Sequence, residues 1–231
     1  MICDYDLLQG LSSTANPILR FYDWEGDCAT YGYFIDPGHY FKSAGVEKYG
    51  LHTARRPTGG GIVFHHCDFA FSVLIPAAHP FYGLNTLENY ACINNVVIQV
   101  VHKWLKSALK PVLLTYEDGQ DHAQSKHFCM AKPTKYDVML EGKKVGGAAQ
   151  RKTRCGFLHQ ASIALLLPSE EYLQAVLNVE QGVISAMQRH TYPLLGEDVP
   201  SIGKMQNIRR ELQNMLTQAF MDSDVTEPRK F

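Results

Sequence analysis

The sequence predicts one mixed α+β domain, and three observations carry that expectation. Strand-forming runs occupy Ile62–Pro76 and, further on, Tyr136–Glu141, Val145–Ala149 and Phe157–Leu167. Apolar residues return at helical spacing in two separate stretches, Leu87–Lys110 and Ile202–Phe220. No repeat, low-complexity segment or linker divides the 231 residues.

Taken in order, Ile18–Trp24 and Cys28–Phe34 are rich in β-branched and aromatic residues. Glu25-Gly26-Asp27 separates them, which reads as a hairpin. Lys42–Tyr49 reads as a short helix stopped by Gly50. In Ile62–Pro76, Phe69, Phe71, Val73 and Ile75 alternate with smaller or polar residues, as in one long strand. Leu87–Lys110 carries Leu87, Tyr90, Asn94, Val97, Val101, Trp104 and Leu105 on one helical stripe, with Asn85-Thr86 as the N-cap. Pro111–Tyr116 is a strand candidate. Glu117–Thr134 is polar, contains Asp118-Gly119-Gln120-Asp121-His122, and reads as a long exposed loop of the kind that carries function. Tyr136–Glu141 is a strand, Gly142-Lys143 a turn, and Val145–Ala149 with Phe157–Leu167 a further hairpin in the same sheet. Ser169 caps a helix over Ser169–Leu177. Ile202, Met205, Ile208, Leu212, Met215, Leu216 and Phe220 mark an amphipathic C-terminal helix, after which the tail 223–231 is polar.

Bulk properties exclude several classes. Apolar residues make up 45% of the chain and charged residues 19%, with a net charge of -1. That balance supplies a core and asks for neither a nucleic-acid nor a membrane partner. No apolar stretch is long enough to cross a bilayer. Met1–Asp6 lacks the basic start of a secretion signal, and the six cysteines include no CxxC pair. The cysteines read as reduced thiols in a cytoplasmic protein.

Chemistry concentrates in three segments. Arg55-Arg56-Pro57-Thr58-Gly59-Gly60-Gly61 brings two guanidinium forks to a backbone open to close approach. Exposed amides there would cradle a small anion, unless the run is a solvated turn. The second segment, Tyr136–Gln150, sets Lys144 between a turn and the pair Gly146-Gly147, where it is either a ligand's point charge or a surface lysine. The third is Phe157-Leu158-His159-Gln160-Ala161-Ser162-Ile163. His65-His66-Cys67-Asp68 invites a metal, but adjacent strand residues face opposite sides and no second ligand pair stands at useful spacing. A phosphate-binding P-loop is disfavoured because no Lys-Ser/Thr follows the glycines.

The ordered combination RRPTGGGIVFH, YDVMLEGKKVGGAAQ and FLHQASI resembles the lipoate-protein ligase A and octanoyltransferase family, within the biotin/lipoate ligase superfamily. Upstream, Ile18–Trp24 and Tyr31-Gly32-Tyr33-Phe34 resemble the family's RFYxW and xGYFQ segments, and Met1–Leu8 its opening helix. The resemblance covers roughly residues 1–170. It implies a mixed, mainly antiparallel β-sheet flanked by helices over residues 1–222, with an apolar acyl tunnel. The implied activity is transfer of lipoyl or octanoyl to one lysine of a lipoyl domain. The acceptors would be E2 subunits of 2-oxoacid dehydrogenases or the glycine cleavage H protein. Lys144 matches the family's essential lysine. Arg55, Arg56, Thr58, Gly59, Gly60, Gly61, Val63, His65, Gly147, Ala148 and Ala161 are the implied acyl or adenylate contacts. Tyr22, Tyr33, Tyr136, Asp137 and His159 are implied tunnel residues.

The family works in two ways. A ligase activates lipoate with ATP-Mg to lipoyl-AMP. A transferase takes octanoyl from acyl carrier protein through a cysteine thioester, and neither route needs a resident cofactor. Cys129-Met130-Ala131-Lys132-Pro133-Thr134-Lys135-Tyr136 matches the CxxxPxxY segment of the cysteine-dependent transferases, and Lys126, His127 and Lys132 surround that thiol. Length points to the transferase, since the chain leaves no room for a ligase's C-terminal accessory domain; Gly61 points to the ligase. His66 stands where the family usually has Asp, and Gln160 where a second His is common. Those departures keep a degenerate lipoate- or lipoyl-domain-binding protein as the alternative. A biotin ligase lacks support because its GRGRxGR-type loop is absent.

Overall fold

A computed structural model describes residues 1–11, 16–117, 127–179 and 181–223. Two sheets organise them. The larger has six strands in the order β1-β5-β9-β8-β7-β6, and every neighbouring pair runs antiparallel. Its strands are β1 (Ile18–Phe21), β5 (Asp68–Pro76), β6 (Val112–Leu113), β7 (Val138–Leu140), β8 (Lys143–Thr153) and β9 (Gly156–Ala164). The smaller sheet joins β2 (Cys28–Tyr31), β3 (His52–Arg55) and β4 (Ile62–Phe64), with β2 parallel to β3 and antiparallel to β4. The expected mixed α+β fold with a mainly antiparallel sheet is what forms.

Among the described residues six α-helices cover the sheets: α1 (Ile2–Gly10), α2 (Ser43–Tyr49), α3 (Thr86–Leu105), α4 (Glu170–Val176), α5 (Gln181–His190) and α6 (Ile202–Asp222). One face of the large sheet packs on α3 and α6. Phe69, Phe71, Val73 and Phe157 meet Val97, Val101, Leu212 and Leu216 in that core. The odd-numbered residues of β5 point this way because strand side chains alternate. The opposite face receives α1 through Leu8, Leu11, Leu74 and Leu158. A second core joins the small sheet to α4 and α5 through Phe64, Tyr172, Leu173, Ile184 and Met187.

Local chemistry explains the helix ends. Asn85 accepts from the Glu88 N–H at 2.9 Å while the Glu88 carboxylate accepts from the Asn85 N–H at 2.9 Å, a reciprocal cap. The helix stops at Leu105, short of the expected Lys110, because Lys106 turns left-handed at φ 49°. Gly50 closes α2 in the same way, and Ser169 and Ser201 cap α4 and α6.

Three expectations change. Ile18–Trp24 and Cys28–Phe34 do not pair with each other; β1 lies against β5 and β2 joins the small sheet. Ile62–Pro76 is two strands in different sheets, broken at His65–Cys67. The turn between β7 and β8 is Glu141-Gly142, both at positive φ, so Lys143 already lies in the strand. Helix α5 and strand β3 were not expected from the sequence.

Candidate active site

Lys144 enters the site from the second position of β8 and is only 4% exposed. A buried ammonium needs a counter-charge, and Asp137, fully buried at the foot of β7, supplies it at 2.7 Å from Nζ. Asp137 is itself held from several sides. The Thr134 N–H and hydroxyl donate to its Oδ2 at 2.6 and 3.0 Å, and the Tyr90 hydroxyl donates to Oδ1 at 2.5 Å. Burial, then the Asp137 charge, holds the Tyr90 phenol well above its ordinary pKa, so it stays a donor. Tyr90 also accepts from the Ala148 N–H at 2.7 Å, tying α3 to the lysine strand. Gly147 makes room for all this: a Cβ there would lie 2.5 Å from Lys144 Cε and 2.6 Å from Asp137 Oδ1.

Cys129 approaches from the far side. Its carbonyl accepts from Lys144 Nζ at 2.8 Å, and its Sγ accepts from the Gly61 N–H at 3.2 Å. Gly61 has a steric reason to be glycine, because a Cβ there would strike the His127 backbone. Gly60 needs its left-handed φ of 85°. Behind the glycines lies Arg56, 6% exposed. Its NH1 donates to Thr30 Oγ1 at 2.7 Å, and its NH2 donates to the carbonyls of Gly61 and Gly59 at 2.7 and 3.2 Å. Burial depresses the guanidinium pKa while the adjoining Cys129 acts in the opposite direction.

Lys144, Cys129, Arg56 and the glycines Gly60, Gly61 and Gly147 border a cavity of about 300 Å³ at the seam of the two sheets. That volume is at the lower end for small-molecule sites. Ala70, Val63, Phe128, Ala148 and Ala161 give it apolar walls, and Met1 from the start of α1 also borders it. Below runs a buried polar cluster. Asp4 pairs with Arg20, accepts from the Tyr22 hydroxyl at 2.7 Å and from Gln160 Nε2 at 2.9 Å. Gln160 Oε1 in turn accepts from Thr58 at 2.8 Å. Gln160 thus has a structural employment of its own. Trp24 stacks between Tyr22 and His65, at 5.2 and 4.1 Å between ring centres.

Of the residues expected at the site, Lys144, Cys129, Arg56, Gly60, Gly61, Val63, His65, Gly147, Ala148, Ala161 and Tyr22 border this cavity. Others sit elsewhere. Arg55 is exposed and lies over the Tyr31 ring. Tyr33 is half exposed and packs on Arg151. His159 faces α3 on the other side of the sheet, against Tyr90. Thr58, Gly59 and Asp137 act behind the wall, and Tyr136 accepts through its carbonyl from Asn94 at 2.7 Å. His127 packs tilted against Tyr40, 5.4 Å between ring centres, while Lys132 borders the cavity. Asp118–His122, Lys126 and residues 224–231 lie outside the described residues. Sequence reasoning missed Asp4, Thr30 and Tyr90, whose partners are distant in the chain, and Thr134, which bonds Asp137 three residues on. Asp68 accepts from His65 Nδ1 at 2.8 Å, and His66 packs edge-on to Tyr172. Among the described residues, no cluster of His, Cys, Asp and Glu could hold a metal ion, and no helix is long and apolar enough to cross a membrane.

Known proteins resemble this one in sequence and in fold. Octanoyltransferase LipM of Lysinibacillus sphaericus is 31% identical over 178 residues, covering 77% of this chain and 64% of that protein. Octanoyltransferase LipM of Bacillus subtilis is 29% identical over 175 residues, covering 75% and 63%. The chain therefore spans a little under two thirds of the length of these relatives. A crystal structure of lipoate-protein ligase A bound with ATP superposes with a TM-score of 0.70 at 23% identity, covering 99% of this chain and 81% of that one. A bi-partite lipoate protein ligase from Thermoplasma acidophilum, described with its E2 lipoyl domain, gives 0.68 at 21%, covering 99% and 79%. Both share the fold. Residues 31–167 match the model of the Biotin/lipoate A/B protein ligase family, and the chain belongs to that family.

Proposed function

We propose that this protein transfers a medium-chain acyl group, octanoyl or lipoyl, to a lysine of a lipoyl domain through a thioester on Cys129. The observation that carries the reading is the Cys129 thiol seated on the Gly61 N–H at the edge of an apolar cavity bordered by Lys144. In the first step the Cys129 thiolate attacks the carbonyl of an octanoyl thioester carried by acyl carrier protein. The carrier's thiol leaves, and the acyl chain lies in the cavity. In the second step the acceptor amine attacks the Cys129 thioester, the amide forms, and the cysteine sulfur is released.

Lys144 is proposed to hold the acyl carbonyl. Asp137 and the Cys129 carbonyl take two of its ammonium donors among the described residues. The third is left for the charge that develops on oxygen during each attack. The octanoyltransferase relatives support the thioester route over ATP activation. Gly61 no longer argues for a ligase, because the close approach of the His127 backbone accounts for it. The acceptor would be an E2 lipoyl domain or the glycine cleavage H protein.

A paired assay tests this. With octanoyl-acyl carrier protein and a lipoyl domain, the wild-type protein should give the octanoylated domain and an octanoyl adduct on Cys129 by mass spectrometry. Lys144→Ala should lower transfer by at least a hundredfold while keeping the fold. Modification of the domain by Cys129→Ala with free lipoate and ATP-Mg would overturn the thioester route in favour of the ligase. Binding of lipoate without turnover from either donor would leave the degenerate binder.

A further inference from the structure

The turn at 134–137 offers its backbone amides to two carboxylates. The Thr134 N–H and hydroxyl hold Asp137, the counter-charge of Lys144. One residue on, the Lys135 N–H donates to Glu117 Oε1 at 2.8 Å. Tyr136 stands at φ 68°, a left-handed backbone that bulky residues seldom adopt. Bonds at both its backbone groups keep it there: its N–H donates to the Leu114 carbonyl at 2.7 Å, and its carbonyl accepts from Asn94 at 2.7 Å. Leu114 also donates to the Asp137 carbonyl at 2.9 Å, so the chain leading to Glu117 is locked to the turn.

The two carboxylates differ in what they meet. Asp137 is wholly buried and paired with Lys144. Glu117 is exposed; among the described residues no cation pairs with it and its Oε2 accepts no hydrogen bond. Glu117 and Thr134 are exposed and border the cavity, which places them at its mouth. The other charged side chains that border it among the described residues are the cations Arg56, Lys132 and Lys144, so Glu117 is the one carboxylate of that set. Its near neighbour in kind, Asp68, lies behind His65 and is held by that ring and by Ser162.

Such a cavity suits an acyl carbonyl, whose oxygen is drawn to cations. It is less hospitable to the acceptor. A free lysine is protonated at neutral pH, and it arrives as a compact, hydrated cation on a four-carbon stem. Cations on its path repel it unless an anion stands at the entrance.

We propose that Glu117 is the specificity-determining residue that receives the acceptor lysine. Its carboxylate pairs with the incoming ammonium at the mouth and sets the amine before the acyl group on Cys129. This rests on the reading that a lipoyl-domain lysine is the acceptor. The ammonium releases one proton to solvent at the exposed mouth. The neutral nitrogen then bonds to the acyl carbon, the carbon–sulfur bond breaks, and the surplus proton on nitrogen leaves with the sulfur as the Cys129 thiol.

Glu117→Gln tests the charge alone, because the amide keeps an oxygen for the Lys135 N–H. With saturating octanoyl-acyl carrier protein, KM for an apo lipoyl domain should rise about fivefold in Glu117→Gln, the weight of a solvent-accessible ion pair, and further in Glu117→Lys. The octanoyl adduct on Cys129 should form at the wild-type rate in Glu117→Gln. Its cleavage by hydroxylamine, a nucleophile uncharged at pH 7, should also match wild type. An unmoved KM in both variants would overturn the assignment. An equal loss toward hydroxylamine would do so too, because it marks a displaced 134–137 turn and not a lost charge. Should Glu117→Lys fail to fold, Glu117→Gln decides. A wild-type protein that modifies no domain from either donor overturns the acceptor reading and this assignment together; a modified domain with an unmoved KM overturns the assignment alone.

Discussion

Gly147 and Gly61 show how differently two glycines of one site can matter. At Gly147 an added Cβ meets the end of the Lys144 side chain and the Asp137 carboxylate, side-chain atoms that can shift. Gly147→Ala should therefore keep the melting temperature within a few degrees yet lower transfer at least a hundredfold, because the displaced ammonium leaves Asp137. At Gly61 the obstacle is the His127 backbone, which cannot move without shifting Cys129. Another residue has a consequence in pH. His159 is wholly buried, and desolvation pushes its pKa down to about 3 from an ordinary 6.5. The unfolded chain thus binds a proton between pH 6.5 and about 3 that the folded chain refuses. Stability contributed by the neutral ring is present above pH 6.5 and lost on acidification, by up to about 1.4 kcal/mol per pH unit. Thermal melts of His159→Gln should accordingly lose less stability than wild type between pH 6.5 and pH 4.5.

At the scale of elements, α1 is held by one buried carboxylate. Asp4 gathers Arg20 and Tyr22 from the β1 segment and Gln160 from β9. Asp4→Ala should cost about 3 kcal/mol, read from the urea midpoint, because buried partners lose their acceptor. It should also raise KM for the acyl donor, since Met1 at the start of the same helix borders the cavity. Asp6→Ala, on the exposed side of α1, should do neither. This network also marks the limit of what could be read in the chain. Lys144, Cys129 and the glycine run were legible as candidates through motifs that resemble a family's, and Lys144, Cys129, Gly60 and Gly61 do border one cavity, whereas residue type alone leaves the lysine and the glycines open to solvated readings. Asp4 was not, because its meaning depends on Gln160, 156 positions away. The hairpin expected over 18–34 fails for the same reason: β1 finds its partner at Phe71–Leu74, and two adjacent strands of equal propensity do not say which sheet each joins. Helices with local end signals, such as Asn85 with Glu88, were read closely at their starts.

For the whole molecule, the site is a seam. The glycine run is the link between β3 and β4 of the small sheet, and Lys144 belongs to the large one. Tyr192 donates to the Lys144 carbonyl at 2.8 Å and Thr191 to the Met130 carbonyl at 3.1 Å, so the segment after α5 grips both sides. Stability of the large sheet comes from its covered face. Leu216 on α6 is fully buried in that core. Leu216→Ala should cost about 2–5 kcal/mol in a denaturant titration, while the Cys129 alkylation rate under native conditions stays unchanged.

The Asp4–Gln160 bond also orders events in time. A ribosome releases α1 first, but the strand that holds it emerges 156 residues later. Until β9 has paired with β5, Asp4 has no complete set of partners and the cavity lacks the wall that begins at Met1. Contacts so far apart in sequence close late in folding. The newly made chain therefore completes this cavity only after β9 has been synthesised, which keeps an open, apolar pocket from being offered while the strands before it are being made.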